Sequence, residues 1–177
     1  MDIRNFVQQS LGQWRSQRSA HHLAFQHFEE VRSTIDIEPV ADNDADVISL
    51  CQSYKIDPST IAAPFRMTWE GESDWDEEEE LSGSTLLVPV PDADDPTRGK
   101  LLRDRGYAET VPAAATFSIS PDGIFTLVSS YDRAAAEEKI WFVTPNLRFR
   151  VSSIKTSDGQ GVLTASFSSE VRPVKTE

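Results

Sequence analysis

Two periodicities divide this chain. Ile3, Phe6 and Val7 fall at helical spacing and stop short of Gly12, which predicts a short amphipathic helix within the first ten residues, flanking or plugging the fold. Val47, Leu50, Cys51 and Tyr54 recur at i, i+3, i+4 and i+7 behind the cap candidates Asn43 and Asp44, which predicts one helix over 43–56. Elsewhere the alternation is that of strands. Residues 13–28 have strand character early, and Val31, Ser33, Ile35 and Ile37 alternate over 31–40, so the two segments read as an opening hairpin. Eight further strands are predicted at 64–70, 84–90, 99–105, 115–120, 124–130, 137–144, 147–156 and 161–171. Pro121-Asp122-Gly123 and the turn from Ser157 to Gly161 separate neighbouring strands with glycines suited to positive φ.

About ten strands in antiparallel meander, with one helix between the second and third, are better closed than open, because closure removes sticky edges. The expectation is a mainly β, up-and-down barrel of the lipocalin or fatty-acid-binding kind, able to hold a small ligand, in one domain over 1–177.

Charge narrows the partners. With 29 acidic and 17 basic residues the net charge is −12, which repels nucleic-acid backbones and anionic bilayers and favours protein or small-molecule partners. No apolar run approaches the roughly 20 residues of a membrane helix, and Met1 to Phe6 lack the apolar core of a signal peptide. The single cysteine, Cys51, agrees with a reducing compartment, cytosol or plastid stroma. A homodimer suits a barrel that keeps an uncovered strand edge.

The segment from Leu147 to Ser152 carries the most chemistry. Arg148, Arg150 and Ser152 fall on one face and three apolar side chains on the other, with the two guanidiniums roughly 7 Å apart. Such a fork suits two carboxylates or phosphates; the competing reading is plain surface charge. Phe65, Met67 and Trp69 share a face, as core or cavity wall. Trp75 stands amid the acids of 70–80, either closing over a ligand or tucking back onto the barrel. Those acids form a solvated loop or, beside a cavity, supply a proton donor to a nitrogenous ligand. His21 and His22 are adjacent and face opposite sides of a strand, so no metal site is expected. Cys51 sits on the apolar helix face and is not expected to be a nucleophile. No phosphate loop, serine-hydrolase motif or CxxC pair occurs.

Taken together, Phe6…Trp14…Ser16-Gln17-Arg18…His21-His22-Leu23-Ala24-Phe25, the Met67-Thr68-Trp69-Glu70-Gly71…Trp75 segment and Arg148-Phe149-Arg150-Val151-Ser152 resemble the S-type (CpcS/CpeS) phycobiliprotein lyases in that family's order and over essentially the whole chain. The resemblance implies a lipocalin-like barrel that attaches open-chain tetrapyrroles to cysteines of phycobiliprotein subunits. By that resemblance Arg18, Met67, Trp69, Trp75, Arg148, Arg150 and Ser152 match positions tied to bilin binding or activity. The implied substrate is a bilin, phycocyanobilin first, held non-covalently, with phycocyanin or allophycocyanin apo-subunits as acceptors and no permanent cofactor. Glu70, Asp74 and Asp76 are proton-donor candidates by position. The alternatives are a non-catalytic carrier of an acidic small molecule and an interaction protein with a solidly packed barrel.

Overall fold

The computed structural model describes residues 1–73, 80–104, 114–130, 134–156 and 161–173. Helix α1 (Ile3–Ser10) begins at Asp2, whose carboxylate accepts from the Asn5 amide at 2.9 Å, and Gly12 at φ 104° turns the chain into β1. The strands are β1 (Gly12–His22), β2 (His27–Pro39), β3 (Phe65–Ser73), β4 (Glu80–Asp92), β5 (Asp95–Arg103), β6 (Ala115–Ile119), β7 (Phe125–Ser130), β8 (Ala134–Thr144), β9 (Leu147–Thr156) and β10 (Val162–Val171). Helix α2 (Ala45–Ser53) lies between β2 and β3. All neighbours pair antiparallel, and β1 pairs with β10 to close the barrel. The expected architecture is therefore present. Closure leaves no free strand edge among the described residues, which removes the ground for expecting a homodimer through one. No described helix is long and apolar enough to cross a membrane.

The boundaries shift where side chains pair instead of turning. Leu23–Phe25 form one 3-10 turn ended by Gln26 at φ 51°, so β2 starts four residues earlier than its alternation suggests. At the acidic stretch β3 runs on to Ser73 and β4 starts at Glu80, so ladder pairing reaches into what reads as loop; Asp74, Trp75 and Asp76 lie outside the described residues.

The two helices occupy different surfaces. Ile3, Phe6 and Val7 of α1 plug the lower end of the barrel among Leu87, Leu101, Phe117, Ile119, Phe125 and Ile140, with Phe6 stacked on Phe125 at 4.3 Å. In α2, Val47, Leu50 and Cys51 cover Leu86, Val88 and Leu102, which point outward from β4 and β5. Cys51 is fully buried there, and burial raises its thiol pKa, so it is a small hydrophobe, not a thiolate. Cys51→Ala is expected to lower stability by about 1 kcal/mol through lost packing and to leave any pigment chemistry intact, checked by a denaturant melt beside an adduct assay.

Candidate functional site

Register places the site. On β1, Trp14, Ser16, Arg18, Ala20 and His22 face inward, and their partners on β2 and β10 follow them. One interior row runs Val31, Arg18, Ser168, Arg150, Ile140 across β2, β1, β10, β9 and β8. The row above it runs Glu29, Ala20, Ser166, Ser152, Glu138, and the row below it Ser33, Ser16, Glu170, Arg148, Phe142. The upper half of the interior is thus polar, over an apolar floor formed around α1.

Arg148, Arg150 and Ser152 share the inward face, as their alternation demands, but the two arginines do not form an open fork. Glu170 fills it, accepting from Arg148 Nε at 2.5 Å and from Arg150 Nε at 2.8 Å. Arg150 Nη1 also donates to Glu138 Oε1 at 3.0 Å. Arg148 and Glu170 are each 1% exposed, and the Arg148 guanidinium lies 4.5 Å from the centroid of the buried Trp14 ring. Arg148 is therefore enclosed by Glu170 and Trp14, with its Nη2 buried and without a hydrogen-bond partner, while Arg150 stays partly exposed at 17%.

The charges follow from these contacts. Burial pulls the Arg148 guanidinium down to about 10, with Glu170 opposing, so it remains protonated at neutral pH. Arg150 is also desolvated, yet Glu138 and Glu170 together hold it above its ordinary value. Burial alone would raise the Glu170 carboxyl; the charges of Arg150 and Arg148, with their hydrogen bonds, outweigh it and hold it low.

Trp14 anchors this layer to α1. Its Nε1 donates to the Ser10 carbonyl at 2.8 Å. The Arg172 guanidinium also lies 4.3 Å from its centroid and donates to the carbonyls of Gln9 and Leu11 at the end of α1. The plug, the last strand and the buried ion cluster are thereby one packed unit.

Arg18 is where β1 contributes. Its side chain is 42% exposed, its Nη2 lies 3.9 Å from Glu29 Oε2, and its Nε is buried without a hydrogen-bond partner. The same Glu29 oxygen bonds His22 Nε2 at 3.0 Å. Ser152 Oγ and Ser166 Oγ are 2.6 Å apart. Met67 and Trp69 face inward from β3, opposite Ile37 and Ile35, against the cluster around Trp14. The indole of Trp69 lies flat over Gly83, where a Cβ would run into the ring.

Of the residues singled out in the sequence, Arg18, Met67, Trp69, Arg148, Arg150 and Ser152 are brought into one interior. Glu70 is not: it is exposed on the outer face of β3, lining an outer groove with Arg15 and Arg32, and so is misplaced as a proton donor to anything inside. Asp74, Trp75 and Asp76 fall outside the described residues. His21 faces outward, edge-on to Phe28 at 5.0 Å, while His22 faces in. Sequence reasoning missed Glu170, Glu138 and Glu29, the acids that organise the arginines. The signal was available for one of them, since Ser166, Ser168 and Glu170 form a polar period-two stripe whose intervening positions include Phe167 and Val171.

This geometry can be set beside known proteins. The family model for CpeS-like proteins matches residues 2–173. Chromophore lyase CpcS/CpeS 3 of Trichodesmium erythraeum is 60% identical over 172 residues, covering 97% of this chain and 99% of that one. A putative phycoerythrobilin lyase CpeS of Microchaete diplosiphon is 57% identical over 158 residues, 89% of this chain and 71% of the relative. The structure of the S-type phycobiliprotein lyase CPES from Guillardia theta superposes with a TM-score of 0.87 at 47% identity, over 99% of this chain and 95% of that one. The overall barrel fold is thus shared with a solved lyase, and the chain belongs to the CpeS-like family.

Proposed function

We propose that this protein is a chromophore lyase that holds an open-chain tetrapyrrole in the upper half of its barrel and attaches it through a thioether to a cysteine of a phycobiliprotein subunit. The observation that carries the reading is the interior row Arg18, Ser168, Arg150. Two guanidiniums stand two strand spacings apart, roughly 10 Å along the wall, with a hydroxyl between them. A bilin presents two propionates, and this row offers one cation to each. Met67 and Trp69 supply the polarisable and aromatic surface that pyrrole rings pack on, with Trp75 matched to the same role by resemblance and Ser152 one row above Arg150.

The reaction asks for no nucleophile from this chain. The acceptor thiolate adds to the ethylidene carbon of ring A, forming the C–S bond, and the adjoining ring carbon takes a proton. What the barrel contributes is a fixed pigment conformation and shelter from competing additions. The name of the Microchaete relative supports phycoerythrobilin as the pigment ahead of the phycocyanobilin expected from the sequence. The test is incubation of the protein with each pigment and apo-subunits of phycoerythrin, phycocyanin and allophycocyanin. Covalent product is read by zinc-induced fluorescence on a denaturing gel. Faster adduct formation with the protein than without it, on one pigment and subunit, is the expected result. Tight pigment binding with no acceleration on any subunit would make it a carrier.

A further inference from the structure

The outer faces of β9, β10 and β1 differ from the rest of this acidic chain. The sequence has no Asp or Glu between Asp2 and Glu29, between Glu138 and Asp158 or between Asp158 and Glu170, and Glu170 itself points inward. Among the described residues these three strands therefore turn no carboxylate outward, in a chain of net charge −12. The same face is aromatic. Trp141 on β8 meets Phe149 on β9 edge-on at 5.8 Å, and Phe149 meets Phe167 on β10 at 5.3 Å. Beyond them, the His21 ring on β1 lies edge-on to Phe28 on β2 at 5.0 Å. The registers set Phe149 level with Gln17, Phe167 with Ser19 and Phe28 with His21, so the rings climb the wall toward the upper rim. The Leu23–Phe25 turn ends the climb against β10, with Phe25 79% exposed; Phe167 and Phe28 are each 46% exposed. A contiguous ribbon of exposed rings marks a surface that another protein covers.

Position and charge select the partner. Helix α1 fills the lower end and the strand ladder closes the wall, so a protein thiol reaches the upper half of the interior over the upper rim, where the ribbon ends. The charges bordering the ribbon are Arg15 on β1 and Lys155 on β9, with Lys139 on β8 held 3.3 Å from Glu137. A second copy pairing through this face would bring its own cations against these, which disfavours a symmetric dimer here. A partner with carboxylates around an apolar patch meets opposite charge instead. We infer that the ribbon from Trp141 to Phe25 docks the acceptor subunit, through an apolar surface bordered by acids, so that its cysteine overhangs the barrel mouth. The inference rests on the bilin-lyase reading above and names the surface which that reading leaves open. The ribbon lies on the outer wall and Arg18 and Arg150 line the interior, so acceptor recognition and pigment binding are separable.

The test uses the full chain as wild type, Phe25→Ser, Phe167→Thr and Lys155→Glu, loaded with the pigment and paired with the apo-subunit that give the fastest adduct formation. Phe25 stands on an exposed turn and Phe167 points outward from β10, so neither change opens the core, and threonine keeps strand propensity. Pigment affinity, read from the visible spectrum, is expected to stay near wild type in all three. The apo-subunit concentration giving half-maximal adduct rate should rise about tenfold or more in Phe25→Ser and Phe167→Thr, with the rate at saturating subunit little changed. Lys155→Glu should raise it at low salt and by less at high salt, because salt screens the bordering charge. Unchanged half-saturation in all three variants, with pigment bound and adduct formed, overturns the inference and leaves the lyase reading intact. A wild-type dimer in sedimentation that Phe167→Thr dissociates overturns it as well, by giving the face to a second copy. Wild type that binds no pigment, or accelerates adduct formation on no subunit, overturns the lyase reading and this inference with it.

Discussion

Replacing Glu170 by alanine is expected to destabilise the fold by about 3–5 kcal/mol, the largest effect of any single substitution in the barrel wall. Glu170 and Arg148 are each 1% exposed, and Glu170 is the carboxylate that Arg148 bonds. Removing it strands one guanidinium without a counter-charge out of water and strips Arg150 of one of its two partners. Glu170→Gln keeps the shape but not the charge, so it belongs between alanine and wild type. The pH dependence has a definite sign. The carboxyl of Glu170 is held below its unfolded value, so its contribution is fully present above the ordinary carboxylate range and is lost as pH falls through the folded value. Denaturant melts of wild type and Glu170→Gln from neutral to acid pH check this: the gap between them should close as the medium becomes acid. A constant gap would mean that Glu170 acts by shape alone. Arg148→Ala should mainly weaken folding as well, because Arg148 is enclosed between Glu170 and Trp14.

Arg18→Ala is expected to weaken pigment binding by about 1.5–3 kcal/mol, roughly 10- to 150-fold, with little change in stability. Its side chain is 42% exposed and its contact with Glu29 is long at 3.9 Å, so the fold depends on it little. Arg150→Ala should lose affinity on the same scale and stability in addition, since Arg150 ties Glu170 to Glu138. Lysine at position 18 restores the charge but not the planar donor set, and an intermediate affinity is expected. Titration with the pigment and with its dimethyl ester separates the contributions. Esterification should cost wild type most, Arg18→Ala less, and a variant lacking both arginines nothing. If wild type binds ester and acid alike, the row Arg18, Ser168, Arg150 does not hold propionates.

The sequence by itself determined the elements and much of the partition of faces. Ten strands and two helices follow from alternation and helical spacing, and the antiparallel order follows from short turns. Alternation also placed Arg148, Arg150 and Ser152 on one face and Phe149 and Val151 on the other. What a period of two cannot say is which face is inside. Burial of apolar side chains would send Phe149, Val151, Phe167 and Val171 inward; in the barrel they are on the outer wall, where Phe149 and Phe167 meet at 5.3 Å, and the polar face lines the interior. The tertiary structure decided this because α1 already supplies the apolar floor, and because the buried cations of β9 meet Glu170 on β10 and Glu138 on β8, residues 20, 22 and 12 positions away along the chain. The registers of the β8–β9 and β9–β10 pairs set those residues side by side. Closure through β1 and β10 sets Arg18, from the first strand, on one row with Arg150, from the ninth, while alternation on β3 turns Glu70 outward one position from the inward Trp69. Local chemistry named the arginines; the tertiary pairing determined that Arg148 is enclosed by Glu170 and Trp14, that Arg150 is paired to Glu170 and Glu138 yet partly exposed, and that Arg18 is the most exposed of the three.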